Sequence, residues 1–162
     1  MQQADRAGGP RDVRTARLLV AAQFALLGLI VALPTRADWP VPGSLAVGCV
    51  VVGGAGAVVM GVAATALGRG LTAVPLPNRH AQLRTGGLYS WVRHPIYSGL
   101  LLTSGAVVVA SGSSLRLVPF LVLVALLTRK ARWEESRLAR AFPGYPDYAA
   151  RTPRFVPSRR RR

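Results

Sequence analysis

Two long uncharged runs decide what this chain can fold into. Residues 18–34 (LLVAAQFALLGLIVALP) hold no Asp, Glu, Lys or Arg, and residues 43–68 extend the same pattern further. A helix rises 1.5 Å per residue, so about 20 apolar residues cross a hydrocarbon core, and both runs approach or exceed that length. A soluble domain of 162 residues rarely carries two of them. The pattern indicates an integral membrane protein with a single domain.

Two shorter apolar stretches follow, 96–110 and 115–127, the second with Arg116 near its start. The intervening SGSS at 111–114 is a turn signal. The expectation is an all-α fold of about four transmembrane helices, near 17–34, 43–68, 95–110 and 115–141. The last two form a tight hairpin, and the fourth helix runs on past the membrane. Residues 1–15 are expected to be a flexible N-terminus, 16–157 the single domain, and 158–162 a polybasic tail able to grip anionic lipid. After the fourth helix, FPGYPDY predicts a break and an irregular tail.

Charge placement tests this layout. Of the twenty-one Lys and Arg, Arg36 and Arg116 fall in or beside the loops assigned to the outside; the other nineteen lie in the N-terminus, the 69–94 loop or the C-terminal region. The positive-inside rule then places both termini in the cytoplasm. The same asymmetry argues against nucleic acid, despite a net charge of +15, because no soluble groove-reading element accompanies the basic residues. Membrane lipids are the expected neighbours. The first run is too long for a typical secretory signal and is followed by a poor cleavage site, so it is taken as a retained helix. Cys49, the single cysteine, packs as a small apolar residue. Gly53, Ala57 and Gly61 recur every four residues and share a face that lets another helix approach closely, with packing inside the chain favoured over a dimer seam.

The segment 68–94 contains Pro75, Pro77, Gly86 and Gly87 and lacks a helical period, so it is expected to be a structured, functional loop. His80 and His94 are the only histidines. No metal-ligand spacing, dinucleotide-binding glycine motif or Ser-His-Asp arrangement is present.

The chemistry-bearing string is RHPIY at 93–97. Proline suits the first position of a helix, so Pro95 is expected to open the third helix with His94 at or beside its N-cap. The positive end of that helix attracts anions, Arg93 adds a planar fork, and Tyr89 and Tyr97 add aromatic faces. Either this is a pocket for a ring-bearing anionic ligand at the membrane edge, or it is an anchor in which Arg93 snorkels and the tyrosines join an interfacial belt. Glu134 and Glu135, the only glutamates, sit beyond the fourth span. They point about 100° apart on a helix, so one is expected to face the pocket and meet an ammonium or sulfonium. Taken by themselves, they are better accounted for by an ordinary surface helix salt-bridged to Arg137 and Arg140.

The segments GRGLTAVPLP, LRTGGLYSWVRHPIYSGLLL, KARWEESRL and FPGYPDYAARTPRFVP, in that order, resemble the isoprenylcysteine carboxyl methyltransferase family, including its small bacterial members. The resemblance covers just over half the chain, from 68 to 157. RHPxY alone is less specific, being shared with phospholipid methyltransferases and sterol reductases. The likeness implies a bacterial inner-membrane methyltransferase that uses S-adenosylmethionine and acts on a lipophilic or lipidated substrate. The cofactor site it implies lies in the cytoplasmic loop and C-terminal region, with His94, Pro95, Tyr97 and Gly99 in the motif, Tyr89 and Arg93 beside it, and Glu134 and Glu135 as the acidic pair. Arg151 and Arg154 match basic positions of its C-terminal segment. Gly87 stands where a more constrained residue is expected.

A carboxylate acceptor is already ionised and needs no base; Arg154 or Arg151, with Arg93 behind, is then expected to clamp it. An amine acceptor, as in phospholipid N-methylation, needs Glu134 or Glu135 as base. The likeness favours the carboxylate. Two other classes remain open at this point: an NADPH-dependent sterol-type reductase and a non-enzymatic membrane protein.

Overall fold

The computed structural model describes residues 9–70 and 82–158. Expectations for residues 1–8, for 71–81 with His80 in the middle of the long loop, and for 159–162 of the tail lie outside the described residues. Among those described there are five α-helices and no strand: α1 Pro10–Ala32, α2 Gly43–Leu67, α3 Pro95–Ala110, α4 Leu117–Ala141 and α5 Tyr145–Arg151. Short 3-10 turns occupy Gly68–Gly70, Gly87–Ser90 and Ser114–Arg116.

Two expectations need correction. The polar stretch taken as a flexible N-terminus is helical from Pro10, which fills the first helical position after Gly9, as its fixed φ favours. Asp12 sits in the first turn, where a carboxylate complements the helix dipole, and its Oδ1 meets Arg137 Nη2 on α4 at 2.5 Å. Its polarity serves an ion pair rather than solvent. The tail after FPGYPDY is likewise not wholly irregular. Pro146 lies in the first turn of the short α5, and Tyr145 and Tyr148 turn inward to 4% and 6% exposure.

α1 and α4 run antiparallel, and polar contacts mark their register at three levels. Asp12 meets Arg137, Gln23 Oε1 accepts from Lys130 Nζ at 2.7 Å, and Leu33 O accepts from Arg116 Nε at 3.0 Å. Arg116, the charge that interrupts the fourth apolar run, also reaches Val31 O. It supplies donors to the terminal carbonyls of α1, which have no partner within the helix. At this end Ser114 donates from both N and Oγ to Asp38 Oδ2, bonds that hold the Asp38 carboxyl below its usual range.

α2 and α3 make the closest approach in the bundle. Gly56 and Gly99 are both buried. A Cβ on Gly56 would fall 2.6 Å from Gly99 O and from Thr103 Oγ1, so backbone touches backbone. Thr103 Oγ1 donates to Gly53 O across the same seam at 3.0 Å. The small-residue face is therefore Gly53, Gly56 and Ala63, and not the expected Gly53, Ala57 and Gly61; Gly61 has no atom within 4 Å of its missing Cβ. Three- and four-residue steps alternate because the helix turns every 3.6 residues. Packing within the chain, the favoured use of such a face, is what Gly53 and Gly56 do.

The apolar core joins α1, α3 and α4 through Ile30, Val108, Leu123 and Leu127, with Tyr97, Leu100 and Phe120 packed against it. Outward faces are also apolar: Val50 is 75% exposed, and Phe24, Val58 and Leu121 are similarly open. α1 and α2 are long and apolar enough to cross a membrane, and only 11% of each apolar window is buried. Helices of a water-soluble core would be buried, so lipid is the solvent these faces suit. Gly56→Leu is expected to lower stability by about 1–3 kcal/mol through overpacking, whereas Gly61→Leu leaves it within about 0.5 kcal/mol. Thermal unfolding of the two variants in detergent checks the difference.

Candidate active site

The start of α3 is held by the chain's own C-terminal segment. Arg93 N donates to Pro153 O at 2.9 Å and His94 N to Arg154 O at 3.1 Å, a two-rung backbone pairing. Ser98 Oγ adds a bond to Phe155 O at 2.7 Å. On the other side, the turn Gly87–Ser90 leads into Arg93. Gly87 adopts φ +60°, a left-handed conformation that favours glycine, so the residue that departs from the expected pattern is the one the backbone calls for there.

Side chains from three separate segments converge at this frame. His94 is the N-cap of α3 by position but makes no side-chain cap bond. Instead its imidazole Nε2 donates to Glu135 Oε1 at 3.1 Å, while Nδ1 lies 3.8 Å from Glu134 Oε2. The ring is parallel to that of Tyr97, with centroids 5.3 Å apart, and Phe155 tilts against both. Tyr97 OH donates to Glu134 Oε2 at 2.9 Å. Glu135 receives Arg154 as a fork, Nε to Oε1 at 2.9 Å and Nη2 to Oε2 at 2.7 Å. Arg93 Nη2 stands 3.3 Å from the same Oε1, and its Nη1 donates to Ala149 O.

Both glutamates therefore face the cluster, not one. Glu135 reaches His94 and Glu134 reaches Tyr97. Nor are they tied to Arg137 and Arg140. Arg137 pairs with Asp12 and stacks on Trp133 at 3.3 Å, and Arg140 donates to Ser136 O.

Arg93, His94, Tyr97, Glu134, Glu135 and Arg154 are brought together. Pro95 is buried at the first position of α3 and sets the helix start. Gly99 faces the other way, against Gly56 and Met60 of α2. Tyr89 is buried beside the cluster, but its hydroxyl donates to Ala63 O of α2 at 3.3 Å. Arg151 is exposed at the end of α5, away from these contacts. Four participants carry no expectation from the sequence: Tyr145, Tyr148, Phe155 and Lys130. Tyr148 OH donates to Tyr89 O at 2.6 Å and so ties α5 to the turn before α3. Lys130 has a signal in the sequence: it continues the stripe Leu123–Leu127 at helical spacing, and it is buried with them.

The electrostatics follow from the contacts. Burial raises the Glu135 carboxyl, but the hydrogen bonds from Arg154 and His94 and the charge of Arg93 outweigh it and bring the group down to about 2. The same fork raises Arg154. Burial, with Glu135 nearby, pushes the Tyr145 hydroxyl up, and burial takes Tyr148 to about 12, so both stay neutral. Arg93 Nε and Tyr145 OH are buried with no hydrogen-bond partner among the described residues. Two donors thus stand unused beside two carboxylates.

The chain belongs to the phospholipid methyltransferase family, whose sequence model matches residues 44–144. That match takes in α3, His94, Tyr97 and both glutamates and places the chain among the methyltransferases. The chain is 34% identical over 100 residues to the cobalt-zinc-cadmium resistance protein CzcN of Cupriavidus metallidurans, an alignment covering 60% of this chain and 46% of the relative. It is 36% identical over 104 residues to the nickel-cobalt-cadmium resistance protein NccN of Alcaligenes xylosoxydans xylosoxydans, covering 60% and 47%. The chain spans about half the length of these curated relatives.

Because the Glu135 carboxyl titrates near 2 in the fold against an ordinary 4.5, it contributes stability above about pH 4.5 that is lost as pH falls toward about 2. Glu135→Gln is expected to melt lower than the natural protein at pH 7, and the gap is expected to narrow across that acid window. Thermal melts at a series of pH values check this.

Proposed function

We propose that this chain is a membrane-embedded S-adenosylmethionine-dependent methyltransferase that O-methylates a carboxylate of a lipophilic acceptor, as isoprenylcysteine carboxyl methyltransferases do. The observation that carries the reading is the convergence of RHPxY, the Glu134–Glu135 pair and Arg154 on one spot at the start of α3. The proposed setting is a bacterial inner membrane, with four spans, α3 and α4 as a hairpin, and both termini cytoplasmic. The arginine distribution supports that orientation.

The donor set fits the cofactor. When bound, S-adenosylmethionine supplies a methyl group on a positively charged sulfonium. Glu134, which accepts one hydrogen bond among the described residues, suits its ammonium, the unpartnered Arg93 Nε and Tyr145 OH suit its carboxylate, and the faces of His94, Tyr97 and Phe155 suit its ring and sulfonium. Methyl transfer is an in-line displacement, so the protein's work is to position the reactants and keep water away. The Glu135–Arg154 fork holds the C-terminal segment over the site. Tyr97 orients Glu134 by its hydroxyl bond. A carboxylate acceptor then requires no proton removal.

A second reading, N-methylation of a lipid amine, draws on the family match and on Glu134. This carboxylate accepts a hydrogen bond from Tyr97 alone among the described residues and is the better placed of the two to take a proton.

Calorimetric titration of the detergent-solubilised protein separates the classes. S-adenosylmethionine and S-adenosylhomocysteine are expected to bind. Silence with both removes the methyltransferase reading, and heat with NADPH alone favours a reductase. His94→Ala is expected to weaken S-adenosylhomocysteine at least tenfold, about 1.4 kcal/mol; unchanged affinity in a folded variant reduces His94 to a helix-start residue. Mass spectrometry of lipid extracts incubated with labelled methyl donor distinguishes a methyl ester from a methylated amine.

A further inference from the structure

Lys130 has no part in the chemistry above, yet it is only 4% exposed. It lies on the stripe of α4 that buries Leu123 and Leu127, one turn before Glu134. Its Nζ donates to Gln23 Oε1 on α1 at 2.7 Å and stands 5.0 Å from the centre of the Tyr97 ring, whose hydroxyl bonds Glu134. A polar path thus runs from α1 to the acidic pair. Gln23 lies five residues inside the apolar stretch that begins at Leu18, a depth of roughly 7.5 Å along the helix.

A buried ammonium is costly unless it is paired. An ammonium has three N–H donors. Among the described residues it gives one hydrogen bond, to a neutral amide. A leucine would continue the stripe as Leu123 and Leu127 do, so packing does not explain the charge. The arginines expected to clamp an acceptor lie elsewhere than α4. Arg154 gives Nε and Nη2 to Glu135 and is held in that fork, and Arg151 is exposed on α5.

We propose that Lys130 is the anion-binding residue of the acceptor subsite. A lipid-borne carboxylate or phosphate, arriving past the half-buried Gln23 on α1, replaces or joins the Gln23 oxygen on the Lys130 ammonium. The methylated atom is thereby held toward Tyr97 and Glu134. Lys130 selects acceptors that carry negative charge at or next to the methylated position. This inference rests on the methyltransferase reading for its purpose, but not for its measurement.

The probes are dodecanoate, dodecyl phosphate, dodecylamine and dodecanol, which share one chain and differ in headgroup, titrated into the full-length protein in nanodiscs. The natural protein is expected to bind an anionic probe at least tenfold tighter than dodecanol or dodecylamine. Lys130→Met is expected to lose that preference to within about twofold, and Lys130→Arg to keep it, while S-adenosylhomocysteine affinity stays within about twofold in both. Preference for dodecanoate points to a carboxylate acceptor, and preference for dodecyl phosphate to a phospholipid headgroup. Equal binding of all four probes, or a preference that survives Lys130→Met, overturns the proposal. Should Lys130→Met not fold, Lys130→Gln keeps a polar partner for Gln23 and gives the same reading. Failure of S-adenosylhomocysteine to bind the natural protein removes the methyltransferase reading and leaves the headgroup result intact.

Discussion

One carboxylate, Glu135, holds three distant parts of the chain in one place. It receives both arms of Arg154 from the C-terminal segment, the imidazole of His94 at the start of α3 and the charge of Arg93. Such a group is expensive to bury and becomes stabilising only when its lone pairs are filled. Here they are filled from two sides. The neighbouring backbone rungs, Arg93 to Pro153 and His94 to Arg154, fix the donors where the carboxylate needs them. Loss of Glu135 would leave two guanidinium groups without the carboxylate they share, and the C-terminal segment would lose its main side-chain tether.

The two helix pairs of the bundle are built on opposite principles. α2 and α3 meet through glycine backbones, and the fit is set by what is absent: no side chain at Gly56 or Gly99. In lipid, where apolar contact between helices has little driving force of its own, such close packing is what holds helices together. α1 and α4 meet through polar groups at both ends and in the middle. Each of those groups makes a bond across the contact, so they act as register marks between two otherwise apolar surfaces. The site sits where these two constructions join, with α3 and its preceding turn contributing from one and α4 from the other.

Much of this is legible in the sequence, and the rest is hidden for physical reasons. The ends of α2 and α3 follow from Pro42, Gly68 and Pro95, residues whose backbone preferences leave little choice. The convergence of RHPxY, the acidic pair and Arg154 comes from family likeness, because periodicity cannot bring residues 94, 135 and 154 together. Equating polarity with exposure starts α1 too late, since Asp12 has its partner on α4 and sequence spacing does not reveal it. A strict four-residue step misplaces the small-residue face by one position after Gly53. Lys130 reads as one more solvated charge until its spacing from Leu127 is followed to the buried side. Arg154 suits an acceptor by its chemistry alone; only geometry assigns it to Glu135.

The pairing of residues 93–94 with 153–154 also has a consequence for synthesis. The helices that carry most of the cluster's residues can form while the ribosome is still translating, since chains fold from the N-terminal side as they emerge. The cluster itself stays open until Phe155 has been made, because the extended segment that covers it follows α4 and α5 in the chain. A premature stop anywhere between α4 and Phe155 would therefore yield a bundle with its hydrophobic helices intact and the cluster at the start of α3 unassembled.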